Sequence, residues 1–407
     1  SDRTAPKQGL GRTVTHASSS NSGGSGRHRR ASGRKRLVRL VRSAWPTHST
    51  STGTMGETIR TPLTEKLGLR YPVMLAGMSG VSHSALVAAV SIAGGIGTIG
   101  GLTLKPKVLR KEIAEVKAAF GGKKFPFGVD LAIPKIGGGA RKTNHDYTHG
   151  HLPELIDIVI EEGASIFVCA VGVPPPWAVE KLHKAGIPIA NMVGAPKHVD
   201  KALEAGCDII ICQGTEGGGH TGEIGAMALI PACVERCQGK TSRMDGSPIL
   251  VVGAGGISDG KGIAAALSLG ASGVWVGTRF VASTESHASD RHKETLVKAE
   301  ALDTTRTLIF SGRPLRAFKS EYVAGWETQR KQQIDELCEQ GIVPFYHDMK
   351  EAERNKTDFN LAASFPLLFG QGCGTIHDVK PAKDIMEEMM AEAIATLRAK
   401  SGLIAKL

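Results

Sequence analysis

The sequence predicts an α/β fold, a (β/α)8 TIM barrel with a C-terminal helical insertion or lid. Three observations predict it. First, eight short apolar runs alternate with helical patterns over about 210 residues from Val73 to Val276. Second, several helical patterns end in Gly just before the next run, at Gly94-Gly95, Gly163, Gly186, Gly206 and Gly270. Gly past a helix end supplies a left-handed cap. Third, the richest Gly loops come late, after runs seven and eight, where such a barrel binds phosphate. An open doubly wound sheet, the runner-up, would carry its phosphate loop after the first strand.

The expected strands, in order, are 73–76, 96–99, 125–131, 166–170, 187–191, 209–212, 249–252 and 274–276. Helical patterns fall between them at 84–93, 107–119, 152–162, 176–185, 198–205 and 262–269. The barrel is assigned to residues 55–282. The alternation fails over 283–379, which is read as a helical insertion or lid on the barrel mouth. Residues 380–407 are read as a last outer helix that closes the barrel.

The chain has 407 residues and a formal charge of +11. That charge is not spread. Residues 1–54 hold 11 Lys+Arg and one acid, Asp2, and the remaining residues hold 39 against 38. A nearly neutral body argues against a large phosphate-backbone footprint, so nucleic acid is not an expected partner. No run of about 18 apolar residues occurs, so no membrane-spanning helix is expected. The seven Cys are scattered without a CxxC pair, which reads as reduced thiols.

Residues 1–54 are Ser/Arg/Gly-rich, and 34–42 (RKRLVRLVR) has the pattern of a short basic amphipathic helix. The segment reads as a disordered basic extension or a transit-like peptide. The terminal Ala405-Lys406-Leu407 is a near match to a peroxisomal address, so peroxisome is the expected compartment. The alternatives are cytoplasm, or mitochondrion if the extension is a true transit peptide.

Four segments carry chemistry. Leu75-Ala76-Gly77-Met78-Ser79-Gly80 follows strand one, and small residues there let a flat ring approach the backbone. Gly253-Ala254-Gly255-Gly256-Ile257-Ser258-Asp259-Gly260 follows strand seven, and Val276-Gly277-Thr278-Arg279-Phe280 ends strand eight. Consecutive glycines bare N–H groups that can surround a phosphate. Neither loop matches the P-loop pattern of an NTPase. Gln213-Gly214-Thr215-Glu216-Gly217-Gly218-Gly219-His220 follows strand six. It would hold His220 on a mobile Gly-rich backbone beside the mouth, ready for proton transfer near neutral pH. His145, His149 and His151 match no standard metal spacing, and no metal is expected. No G-x-S-x-G elbow supports a serine hydrolase.

Together these residues resemble the nitronate monooxygenase family. The resemblance rests on LAGMSG, GGIGTIGG at 94–101, PFGVD at 126–130, GTEGGGHTG at 214–222, GAGGISDG at 253–260 and VGTRF at 276–280. SGRPLRAFKSEY at 311–322 and GQGCGTIHDV at 370–379 extend it. The resemblance implies FMN held without a covalent bond. It implies oxidation of alkyl nitronates by O2 to a carbonyl compound and nitrite. It places Ala76, Gly77 and Met78 by the isoalloxazine ring and Gln213 at the flavin or ribityl. It assigns Gly218, Gly219, Gly255, Gly256, Gly277 and Thr278 to the phosphate, and His220 to catalysis. Were neutral nitroalkanes also used, His220 would have to remove the α-proton. Asp130 stands where related sequences often have Asn. A carboxylate there is unfavourable unless protonated or turned away. Arg279, Arg313 and Lys319 are the cations available to a substrate carboxylate. The same loops resemble NAD(P)H-dependent enoyl-thioester reductases of acyl carrier protein, the alternative reading. Nucleotide-oxidising barrels need a Cys after strand six in a Gly-Ser loop, which is lacking. Monomer and homodimer both stay open.

Overall fold

The computed structural model describes residues 57–402. The basic extension and the terminal Ala-Lys-Leu lie outside the described residues. Eight parallel strands form one sheet, β1 (Val73–Leu75), β2 (Gly97–Gly100), β3 (Phe127–Ala132), β4 (Ile166–Ala170), β5 (Ile189–Val193), β6 (Ile209–Gln213), β8 (Leu250–Ala254) and β9 (Gly273–Val276). Their order is β1-β9-β8-β6-β5-β4-β3-β2. A parallel bridge between Met74 and Ile96 joins β1 to β2 and closes the barrel.

Both faces of each strand are covered, so the strands read as continuous apolar runs. On β6, Ile209 and Ile211 point into the barrel with Met74, Val168, Val252 and Trp275. Ile210 and Cys212 point outward into the layer shared with the helices. The period of two thus serves two cores at once. The N-terminal end of the barrel is plugged by α1 (Pro62–Leu67), whose Leu63 and Leu67 join the interior. Thr61 caps that helix in a reciprocal capping box and Gly68 ends it in the left-handed conformation.

The outer helices are α2 (Ser84–Ile92), α3 (Pro106–Ala119), α4 (Leu152–Glu161), α5 (Pro176–Lys184), α6 (Lys197–Ala205), α7 (Ala226–Cys237) and α8 (Gly260–Ser268). The short α9 (Thr278–Val281) follows β9, and then the alternation breaks off. The eighth outer position is filled by the distant α15 (Ala382–Ser401), which packs between α8 and α2. The fit is close: a Cβ at Gly260 would lie 2.3 Å from the Met389 carbonyl oxygen.

Residues 283–379 are not wholly helical. Helices α10 (Asp290–Lys298), α11 (Glu321–Gln329), α12 (Lys331–Glu339), α13 (Pro344–Asn355) and α14 (Leu361–Ser364) accompany a hairpin. Its strands are β10 (Thr304–Thr307) and β11 (Leu315–Phe318), and β11 also pairs with β7 (Gly219–His220). These strands hold two to four residues each, too short for any periodicity to show. Ile309, Val323, Trp326, Ile334 and Leu337 give the helices a small core of their own. Asp348 on α13 ties it together. It accepts hydrogen bonds from Tyr322 Oη and Trp326 Nε1, each 3.0 Å, and a forked pair from Arg330 at 2.9 and 2.8 Å.

Candidate active site

The C-terminal ends of the strands bring the expected segments to one mouth. Residues 76–78 leave β1 under tight constraint. The Met78 N–H donates to Ser82 Oγ at 2.8 Å, and Gly277 lies close against Ala76 and Met78. Gly77 faces Asp130: a Cβ there would meet Asp130 Oδ2 at 2.5 Å. Asp130 is buried, its Oδ1 has no hydrogen-bond partner, and burial pushes its carboxyl up to about 8. It has not turned away from the mouth, which leaves protonation as the way to relieve its burial.

The loop after β8 has the form of an anion cradle. Gly255 has φ +90, and a Cβ on it would meet the Gly214 backbone at 2.8 Å. Gly256 follows with φ +73, so two successive N–H groups are bared. Gly277 and Thr278 lie at the end of the neighbouring strand β9. The Thr278 hydroxyl already accepts from the Gly370 N–H at 2.9 Å. Segment 369–372 thus closes the cradle from outside, and Gly218 touches it, because a Cβ at 218 would lie 2.7 Å from Phe369. Gly219 goes elsewhere, into β7 opposite Arg316. Glu216 occupies the N-terminus of α7, accepting from the Ala226 N–H at 3.0 Å. That terminus is therefore already served by a carboxylate.

His220 is not on a mobile loop. It pairs with Leu315 across β7 and β11, and Gln213 Nε2 donates to the His220 carbonyl at 2.7 Å. Gln213 also reaches the Gly218 carbonyl at 3.5 Å, so its amide pins this loop. His220 Nε2 lies 2.8 Å from Ser311 Oγ. Burial, with Arg313 second, pushes the imidazole down to about 4. It is neutral at neutral pH.

Arg313 is the cation that the hairpin brings to His220. Its Nε donates to Asn144 Oδ1 at 2.9 Å, and no carboxylate partners it among the described residues. Desolvation and the nearby Arg141 lower its pKa. Arg279 is not available to a substrate, since it is buried and bonded to Asp378 at 2.9 Å. Lys319 is exposed beyond the end of β11. His145 stacks on Tyr147 with ring centroids 4.3 Å apart, and His151 faces Glu154 at 3.7 Å. No group of three or more metal-ligating side chains occurs among the described residues.

Ser311 and segment 369–370 carried no recognisable chemistry of their own in the sequence. Ser311 is 91 positions from His220, and only the β7–β11 pairing joins them. The signal that could have found it is the SGRP turn itself, which lacks the length of a loop and sits between two β-prone tetrapeptides.

Comparison with known proteins agrees with this geometry. The family model described as nitronate monooxygenase matches residues 60–392. A probable nitronate monooxygenase of Staphylococcus saprophyticus is 32% identical over 300 residues, covering 65% of this chain and 80% of the relative. A hydroxy-methyl-oxo-octahydroindene-carboxyl-CoA dehydrogenase of Rhodococcus jostii is 30% identical, covering 85% and 99%. The structure of FabK from Thermotoga maritima superposes with a TM-score of 0.68 at 30% identity, covering 85% of this chain and 100% of that one. The chain is an oxidoreductase, and it belongs to the nitronate monooxygenase family.

Proposed function

We propose that this protein oxidises alkyl nitronates with O2 to a carbonyl compound and nitrite, using FMN held at the C-terminal mouth of the barrel. One observation carries the choice of substrate. A half-buried Arg313, without a carboxylate partner, stands beside a neutral His220. A desolvated cation next to a neutral ring suits an anion, and a nitronate is one.

The residues fit the cofactor. Gly255, Gly256, Gly277 and Thr278 would hold its phosphate, with Gly218 and Gly219 shaping the loop alongside. Ala76, Gly77 and Met78 give a flat platform without bulky side chains at the ring, and Gln213 and Asp130 border it. When bound, the flavin accepts the substrate's electrons and passes them to O2. The chain's own work is binding and orientation. Arg313 draws in the anionic nitro group. Ser311 fixes His220 through Nε2, which leaves Nδ1 as the nitrogen available to the substrate. An imidazole held near 4 is a weak base. It is poorly matched to pulling a proton from a neutral nitroalkane. A preformed nitronate needs no such step.

The runner-up, reduction or oxidation of an acyl thioester, is favoured by the full-length match to the carboxyl-CoA dehydrogenase. Anaerobic titration of the purified protein separates the two. The expected result is that ethyl nitronate bleaches the flavin absorption, that O2 restores it, and that NADH leaves it unchanged. Bleaching by NADH but not by the nitronate would overturn the proposal in favour of the thioester reading.

A further inference from the structure

Asp130 sits on β3 with its carboxyl against the backbone of Gly77, at the segment read above as the ring platform. The residue is 7% exposed. Its Oδ1 is buried and meets no donor. Every element packed on it lacks a cation. Strand β2 with Gly101, and residues 76–82, contain no titratable side chain. Strand β4 contributes Cys169 alone, and burial holds that thiol well above its ordinary range, so it stays neutral. An ionised carboxylate in this place would be desolvated and unpaired. A protonated carboxyl instead has one donor and one acceptor, as a neutral side chain of the same shape as Asn.

We propose that Asp130 meets the bound flavin as a neutral acid, its carboxyl O–H donating to an acceptor on the rim of the ring. This rests on the flavin reading above and deepens it. Oxidised isoalloxazine offers carbonyl oxygens and ring nitrogens as acceptors, and the reduced ring is anionic. A neutral donor favours both. A carboxylate repels both, so binding weakens as Asp130 loses its proton. Burial places that loss near 8 in the empty site. A bound acceptor moves it upward, because the protonated form is the one that binds.

The test measures FMN dissociation from the full-length holoprotein by the fluorescence of released flavin, between pH 6.5 and 9.5. For the wild type the FMN Kd should be constant at the acid end and rise at least about tenfold by pH 9.5. Asp130→Asn should match the wild type at pH 6.5 and stay flat. Asp130→Ser, also neutral, replaces it if the Asn variant fails to fold. Ionisation of FMN itself is common to all three proteins and cancels in the comparison. A flat wild-type Kd, or a variant that keeps the wild-type pH dependence, would overturn the role of Asp130 while leaving the flavin site standing. A wild type that binds no FMN at any pH would overturn both.

Discussion

His220 shows how one residue type can be tuned by what surrounds it. A free imidazole titrates near 6.5, whereas burial and Arg313 hold this one near 4. The sign follows directly. The ring is neutral above about 4 and becomes charged only below it, so the working form persists through the whole mildly acid range. The expected kcat/KM profile for a nitronate therefore has no acid limb between pH 5 and 7. A limb near 6.5, carried by the free enzyme, would show that the ring is solvated in solution. Replacing His220 with Asn should leave FMN bound and lower kcat/KM by about a hundredfold or more, in the range of a lost acid–base or polar contact. Equal activity in the variant would remove His220 from the mechanism. The residue was legible in the sequence because three glycines precede it at a strand end. Its tuning was not. Burial arises from β11, and Arg313 reaches it only because a hairpin 90 residues away pairs with Gly219 and His220.

At the scale of elements, the barrel was legible because its strands are parallel and buried on both faces. Such strands must be short, apolar and β-branched, and that signature survives without an alignment. Strand β6, Ile209–Gln213, shows it plainly with three successive isoleucines. Strands β10 and β11 hold Thr304-Thr305-Arg306-Thr307 and Leu315-Arg316-Ala317-Phe318, polar enough to pass for loop. Their stability comes from tertiary context. Arg316, for example, donates to the Thr215 carbonyl at 2.9 Å and to Thr304 Oγ1 at 3.0 Å, so the hairpin is fastened to the loop before His220. The C-terminal helix depends on a different local device. Gly260 opens α8 where α15 lies almost on its backbone. Gly260→Ala should push Met389 and its neighbours away, at about 1–3 kcal/mol. The measurement is thermal unfolding together with hydrogen exchange. The expected result is a lower Tm and faster exchange concentrated in 382–401. Uniform exchange without a Tm change would mean that the helix relaxes freely and does not seal the barrel.

For the whole molecule, the distribution of charge separates two roles. The ordered body is nearly neutral because its Lys and Arg are answered locally by Asp and Glu. Lys66 meets Asp245 at 2.7 Å, Lys117 meets Glu162 at 2.6 Å, and Arg279 and Lys380 share Asp378 at 2.9 and 3.0 Å. Such pairs add little stability at the surface, but they leave no broad basic face. Residues 1–54 have almost no acid to answer their 11 basic side chains. Any attraction to polyanions therefore belongs to that segment, and the chemistry belongs to the body. The expected outcome is clean. A variant that starts at Met55 should retain FMN and nitronate oxidation, with kcat/KM within about twofold of the full chain. It should pass through a heparin column at 0.15 M salt, roughly physiological ionic strength. The full chain should be retained and elute as salt rises, because its binding is paid in released counterions. Retention of the shortened variant would reveal a basic face built by the fold. Loss of flavin from it would tie residues before Met55 to the active site.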